Sequence, residues 1–484
     1  MSDDWITTIG LEIHVQLQTR TKMFCGCPNR YGADPNTLVC PVCLGLPGTL
    51  PVINKKAYRM AIRTALALNC TVHPDTRMDR KNYYYPDLPK NYQISQYDRP
   101  FSTDGSLSFT LPDGESRTVT IRRVHMEEDA GKLIHAEPDD GPPRSRVDLN
   151  RAGVPLLEIV TEPDMTAPVE AYRFLKELKN LLEYLRVSDC DMEKGRLRCD
   201  SNISLRRRGE EQGTKVEVKN LNSFKNVRSA LEHEEKRQKR QLENGDGVEQ
   251  GTVQFDAERD RTIPMRMKEE ESDYRYFPEP DLPPLAPAEE LIREIEDDLP
   301  ERPSDRRERF REDLGLSDED ARMLTRDRAM ANYFERALET YDAPKAVANW
   351  IMSDVREHLN EHDQEIDAFP IEPSRLAELA RLFEEDRVTS NASSTIFDRM
   401  LDTDDDPETI LEREDLGKMG DKDQLESLAA EVIEENEQPV QDYLDGNDNA
   451  IQALMGQIMS RTQGKADPQT AMETLRDQLD DLDG

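Results

Sequence analysis

A chain of 484 residues is too long for one ordinary hydrophobic core and predicts two or three domains. Its formal charge of −36 excludes attraction of nucleic acid by net charge alone, so an RNA partner requires clustered cations or concentrated salt, where screening shortens to a few ångströms. No apolar run is long enough to cross a bilayer and no charged-then-apolar leader opens the chain, which predicts a cytoplasmic protein with no membrane partner.

The acidity is spread over positions that read as surface, with Asp, Glu and Arg abundant and Lys sparse, the pattern of a salt-adapted (halophilic) protein. In chain order, the first element is Gly10-Leu-Glu-Ile-His-Val-Gln-Leu17. It alternates with period two, so Glu12, His14 and Gln16 share one strand face while Leu11, Ile13, Val15 and Leu17 share the other. An acid, an imidazole and an amide on one face make half of a site. Next, Cys25-x-Cys27 is followed after twelve residues by Cys40-Pro-Val-Cys43. Two close pairs at that separation suit a tetrahedral zinc ion held by four thiolates. Cys70, Cys190 and Cys199 are isolated and read as small core residues.

Residues 54–68 carry Ala57, Met60, Ala61, Thr64, Ala65 and Leu68 at helical spacing. Residues 79–98 contain two prolines and five tyrosines without a sustained period, and predict an irregular loop packed around a ligand. A strand over 117–126 leads into Glu127, Glu128 and Asp129, then Ala130-Gly131-Lys132. The acids offer hard oxygen ligands for Mg²⁺, the small pair allows close backbone approach, and Lys132 is placed to meet an anion. Residues 148–161 continue the sheet with Glu158 inside an otherwise apolar strand, and a buried acid needs a partner or a task.

A helix is predicted over 168–185, with Pro168 in its first turn. Residues 198–205 and 215–219 then alternate and predict a hairpin. One face collects Arg198, Asp200, Asn202 and Ser204 beside Lys215, Glu217 and Lys219, forming the wall of a hydrophilic cavity. Ser223 caps a helix reaching Glu243, with Gly245 beyond its end and a basic late face of Lys236, Arg237, Lys239 and Arg240 suited to an RNA backbone. Prolines between Pro278 and Pro287 mark a boundary, after which amphipathic helices follow, one of them over 375–385 with Ser374 as its cap. A second break falls at the acidic run 402–406 with Pro407. The expected organisation is α+β: a mixed-sheet cradle domain (1–290), an all-helical domain (291–406) and a small helical tail domain (407–484).

No G-x-x-x-x-G-K-[ST] phosphate loop and no G-x-S-x-G nucleophile elbow occur. Carboxylates, a strand histidine, lysines and amides remain, which is the inventory for Mg²⁺-assisted phosphoryl transfer.

Six motifs carry a family resemblance. They are Gly10-Leu-Glu-Ile-His14, Cys40-Pro-Val-Cys-Leu-Gly-Leu-Pro-Gly-Thr-Leu-Pro51, Arg80-Lys-Asn-Tyr-Tyr-Tyr-Pro-Asp-Leu-Pro-Lys90, His125-Met-Glu-Glu-Asp-Ala-Gly-Lys132, Lys219-Asn-Leu-Asn-Ser-Phe224 and Asp273-Tyr-Arg-Tyr-Phe-Pro-Glu-Pro-Asp281. In this order the chain resembles the B subunit of the aspartyl/glutamyl-tRNA amidotransferase from about residue 6 to 285. The likeness returns at Gly456-Gln-Ile-Met459 and Gly464-Lys-Ala-Asp-Pro468, in a YqeY-like tail. The resemblance implies a tRNA-dependent ligase that forms a carbon–nitrogen bond. The Glu or Asp carboxylate of a mischarged tRNA attacks the γ-phosphate of ATP, and ammonia then takes the acyl group.

It further implies Glu12, His14 and Glu127 as Mg²⁺ ligands with Glu128 a neighbouring candidate, and Lys81 near the ammonia entrance. Ammonia would come from a partner amidase (A) subunit, with a small C subunit clamping the two. Glu158, Asp200 and Glu217 are added as catalytic candidates from alternation, and Lys132, Arg198 and Lys219 as candidates for binding the nucleotide. One departure is the stretch 445–450, acidic where the family tends to be basic. Two rivals are the E subunit of the archaeal two-subunit glutamyl-tRNA amidotransferase and a non-catalytic tRNA-binding adaptor. The first carries an inserted domain for which 484 residues leave no room, and the second would lack an acid at position 12, 127 or 128.

Overall fold

The computed structural model describes residues 4–136, 144–265, 274–418, 422–462 and 466–483. Two compact units divide the chain, residues 1–305 and 306–484. The acidic run 268–273 and the pair Gly464-Lys465 of the tail motif lie outside the described residues.

The first unit is built on a nine-stranded mixed sheet. In chain order its strands are β1 (Trp5–Gln16), β2 (Thr71–Val72), β5 (Ser102–Thr110), β6 (Ser116–Glu128), β9 (Pro155–Thr161), β10 (Leu197–Arg207), β11 (Val216–Lys219), β12 (Gly251–Asp256) and β13 (Arg261–Pro264). Strands β3 (Asp79–Asn82), β4 (Tyr92–Ser95) and β14 (Phe277–Pro278) form a small second sheet, and β7 (Lys132–Ala136) pairs with β8 (Arg144–Asp148). The large sheet runs β13-β12-β11-β10-β1-β9-β6-β5-β2, antiparallel except where β11 meets β12. β1 therefore lies near its middle, between β10 and β9.

Alternation sorts the two faces. Ile9, Leu11, Ile13 and Val15 of β1, Leu157 and Ile159 of β9, and Cys199 and Ile203 of β10 are buried in one core. The same core takes Ala171, Phe174, Leu175, Leu178 and Leu182 of α2 (Pro168–Tyr184) and Val227, Ala230 and Leu231 of α3 (Phe224–Glu243). Phe174 is fully buried and meets Phe109 edge-on at 6.2 Å, so Phe174→Ala is expected to cost about 3–5 kcal/mol. The helix α1 (Lys55–Ala67) opens as the sequence predicts, with Asn54 accepting from the amides of Lys56 and Ala57. The Ser223 cap of α3 is likewise observed. A fourth helix, α4 (Glu289–Asp297), lies against α1, where Arg59 donates to Glu294 and Arg63 to Asp298. Among the described residues, no helix is long and apolar enough to cross a membrane.

Two local expectations are corrected. Residues 79–98 are not wholly irregular: β3 and β4 pair from Asp79↔Ser95 to Asn82↔Tyr92, and both prolines fall in the connection between them. Strands of four residues are too short to show a period, and the third strand, β14, comes from almost two hundred residues away. The helix expected over 375–385 runs Pro373–Glu384, with Glu372 at its cap position and Pro373 in its first turn. Proline's fixed φ starts the helix earlier than Ser374.

The second unit is helical and holds two hydrophobic cores. One gathers residues from Phe310 to Leu411, including Phe334, Ile351, Leu376 and Phe397. The helix Pro407–Arg413, which begins at the expected second break, contributes Ile410 and Leu411 to this core. The other core starts at Leu425 and includes Leu454, Ile458, Leu475 and Leu479. Lys418 lies between them, paired with Asp386 and Asp467. The architecture is thus α+β, a mixed-sheet domain followed by a helical region.

Candidate active site

The polar face of the large sheet brings together residues far apart in sequence. Strand register sets Arg198 opposite His14, His14 opposite Glu158, and Glu158 opposite His125, one row across β10, β1, β9 and β6. Glu127 points from the same face one step along β6. His14 Nε2 lies 3.3 Å from Glu127 and 3.5 Å from Glu158, and His125 Nε2 lies 3.3 Å from the same oxygen of Glu158. His14, Glu127 and Glu158 each offer one donor atom, all within 4.8 Å of one another.

Electrostatics follow from this crowding. Burial opposes a charged imidazole at His14, but hydrogen bonds to Glu127 and Glu158 outweigh it and raise its pKa to about 10. Glu158 is the counterpart: burial pushes it up, and the two histidines pull it well below the usual carboxylate range. One nitrogen and two carboxylates fit a divalent cation, the carboxylate oxygens suiting Mg²⁺ or Mn²⁺. Such an ion would take the place of the proton that His14 otherwise holds.

Of the residues expected as cation ligands, His14 and Glu127 come together, while Glu12 sits one row along β1. Its carboxylate accepts from Asn202 at 3.1 Å, and burial together with the charge of Glu158 raises its pKa. Glu158 completes the group of three instead. Glu128 is not brought to this cluster. Next to Glu127 in a pleated strand it points to the opposite face, where Lys90 pairs with it and the amide of Ile94 donates to it at 3.0 Å.

Asp200, Glu217 and Lys219 form a separate group on the same face. Lys219 Nζ lies 3.0 Å from Glu217 and 3.5 Å from Asp200. Burial lowers the pKa of that lysine and the two acids outweigh it, for a net rise. Arg198 donates to Asp129 at 2.9 Å, and Asp129 also accepts from Gln16 at 2.9 Å. Burial favours the neutral acid at Asp129, but Arg198 and Arg151 hold its pKa below the usual range.

Lys132 is exposed and opens β7 opposite Asp148. It lies on the rim of a cleft of about 790 Å³ that also takes in Arg20, Arg30, Arg151, Arg196 and Arg198. Seven cations and three acids line that cleft, so a chain that is acidic overall carries a locally basic groove. By contrast, Arg237 on the basic face of α3 is committed to the buried Glu234.

Lys81 projects from β3 with its ammonium 4.8 Å from the centre of the Tyr274 ring. Tyr97 stacks on Tyr276 at 4.1 Å. Burial first, and then the nearby acids, raise the pKa of Tyr83 and Tyr276 above the ordinary phenol value. Tyr83 and Tyr97 belong to the stretch 79–98 expected to pack around a ligand, and His125 is the residue that sequence reasoning misses. His125 has a usable signal, since it stands two residues before Glu127 and must share its face.

The four cysteines meet as their spacing predicts. The sulfurs of Cys25, Cys27, Cys40 and Cys43 all lie within 4.8 Å of one another, near enough for one tetrahedral zinc ion to draw together. Contact with Cys25 and other donors lowers Cys43 to about 4, whereas burial raises Cys27 to about 11 and the hydrogen bond to Cys43 raises Cys25. One thiol of the group ionises readily and its neighbours resist. That resistance is what a bound dication relieves, so the set fits zinc.

A family model described as the GatB/GatE catalytic domain matches residues 7–293, and one described as the GatB domain matches residues 332–479. The B subunit of the aspartyl/glutamyl-tRNA(Asn/Gln) amidotransferase of Thermoanaerobacter sp. (strain X514) is 49% identical over 472 residues, 97% of this chain and 98% of that protein. The B subunits of the same amidotransferase in Carboxydothermus hydrogenoformans and Oceanobacillus iheyensis are 47% and 46% identical, each over 98% of this chain and over 99% and 98% of their own lengths.

Proposed function

The chain belongs to the GatB/GatE family, and from that premise we propose that it is the B subunit of an aspartyl/glutamyl-tRNA(Asn/Gln) amidotransferase. It acts in the cytoplasm on mischarged Glu-tRNA(Gln), Asp-tRNA(Asn) or both. The side-chain carboxylate attacks the γ-phosphorus of ATP, the bond to the β-phosphate oxygen breaks, and ADP leaves. Ammonia then attacks the acyl carbon, inorganic phosphate leaves, and one proton is shed as the amide forms. The chain carries no serine nucleophile motif of its own, which suits ammonia delivered by an amidase (A) subunit held by a small C subunit.

The observation that carries this reading is His14, Glu127 and Glu158 gathered on one sheet face beside a basic cleft. His14, Glu127 and Glu158 would hold a divalent cation, which would offset the repulsion between a carboxylate and a triphosphate. The chain's own residues do the rest. His125 holds Glu158, Asn202 holds Glu12, and Asp129 fixes Arg198 so that it presents charge to an incoming polyanion. Lys81, whose ammonium lies over the Tyr274 ring, we assign to the ammonia entrance. The helical parts we assign as two domains that lean on tRNA, with the tail beginning after Leu416, a division that the two separate cores support. The four cysteines hold a structural Zn²⁺, and the acidic surface adapts the protein to concentrated salt.

The test uses the chain copurified with its amidase and small subunit and supplied with mischarged Glu-tRNA. His14→Ala and Glu127→Ala should abolish release of γ-phosphate while glutamine hydrolysis by the partner continues. Phosphate release at the wild-type rate in both would remove the assignment of this cluster.

A further inference from the structure

Lys22 is completely buried, and among the described residues no carboxylate pairs with it. An ammonium taken out of water without an anion is costly by several kcal/mol. Its polar neighbours are the sulfur of Cys43, 3.7 Å from Nζ, and the carbonyl of Leu149 at 3.4 Å. The lysine is also fixed from both sides. Its amide donates to the carbonyl of Cys27, and the side-chain amide of Asn54 donates to its own carbonyl. Gly153 lies over the stem at a backbone φ of +84°, and a Cβ there would make ordinary contact with that of Cys43 at 3.5 Å, with Cδ of Lys22 at 3.6 Å and with Oε2 of Glu128 at 3.7 Å, a carboxylate already paired with Lys90. A side chain with no exposed surface is not reaching for solvent.

Four thiolates around one zinc ion leave a net charge of −2, enclosed in a partly dry loop. Lys22 is the fully buried cation beside it. We propose that Lys22 is the counter-charge of the four-cysteine centre and sets its affinity for zinc, donating to Cys43 while the Leu149 carbonyl fixes its direction. This rests on the reading of the cysteines as a zinc site. The role is one of positioning and charge balance, outside the coordination sphere.

The full-length protein, loaded with zinc alone, is titrated against a chromophoric chelator. Lys22→Met and Lys22→Gln should each bind zinc about tenfold more weakly or worse, the range found when groups behind metal ligands are removed. Lys22→Arg should bind zinc more tightly than either neutral variant, because it returns the charge. Wild-type affinity in Lys22→Met or in Lys22→Gln overturns the proposal, the second because glutamine keeps a donor and lacks only the charge. A wild-type protein that binds no zinc would instead remove the zinc reading itself. If the neutral variants do not fold, amine acylation of the wild type decides. Lys22 should be unreactive with zinc bound and reactive after chelation, and equal reactivity in both states overturns the proposal.

Discussion

The two donor clusters of the sheet domain are assembled in opposite ways. The cysteine centre is local: four sulfurs within nineteen residues of chain, in a loop whose turns bring them together. The His14–Glu127–Glu158 cluster is topological, made of side chains on three strands that meet only because β9 lies between β1 and β6. The first can form or fail by itself. The second exists only while the register of the whole sheet holds, since a slip of one residue would turn every donor to the other face. The local centre should therefore respond to mutation of its ligands as a unit, and the distributed one residue by residue.

The largest effect is expected at the local centre. Cys25→Ser or Cys43→Ser should take zinc content from one equivalent to none and open residues 25–48 to limited proteolysis, since structural zinc contributes folding energy outright. Metal analysis and peptide mapping check this. The comparison breaks if the same variants abolish Mn²⁺ binding at the acid cluster, because the two centres would then form one unit.

At the distributed cluster, adjacent residues should part company. Glu127→Gln is expected to weaken Mn²⁺ binding, followed by electron paramagnetic resonance, by about 10–100-fold. Glu128→Gln should leave that affinity within about threefold and instead destabilise the protein by about 3–5 kcal/mol, because Lys90 would be left buried without its partner. The reverse pattern would mean that Glu128, not Glu127, serves the cation. An intermediate result is also informative. A modest fall in Mn²⁺ affinity for Glu128→Gln with the melting temperature unchanged would place the Lys90 pair in the site.

This contrast also explains what the sequence discloses. Two Cys pairs at short spacing can be read directly, because distance along the chain limits distance in space. The polar face of β1 is equally plain, since alternation in Gly10–Leu17 does not depend on its neighbours, and so is the oddity of Glu158 in an apolar strand. Which acids meet His14 depends on strand order and register, and neither is written in any one segment. Hence the family resemblance offers Glu12, which shares the polar face of β1 with His14, while Glu158 occupies the position directly across from His14. Adjacency groups Glu128 with Glu127, although in a strand adjacency separates faces. The β3–β4–β14 sheet is not legible because four-residue strands offer no period and their partner comes from the far end of the domain.

A pH dependence separates the clusters by sign. With its folded pKa raised from the ordinary 6.5 to about 10, His14 contributes stability that is fully present below about pH 6.5 and is lost as pH rises through about 10. Without a divalent cation the melting temperature should therefore fall between pH 7 and 10. With saturating Mn²⁺ that fall should vanish, since the ion replaces the proton between Glu127 and Glu158. Cation binding then releases one proton, so apparent Mn²⁺ affinity should climb about tenfold per pH unit up to pH 10 and level off above it. Cys43 works the other way. Its folded pKa of about 4 contributes stability that is present above the ordinary thiol pKa and lost as pH falls through 4. A Mn²⁺ affinity flat from pH 7 to 10 would mean that His14 is already neutral, and the two acids beside it would then have to carry the ion without displacing a proton.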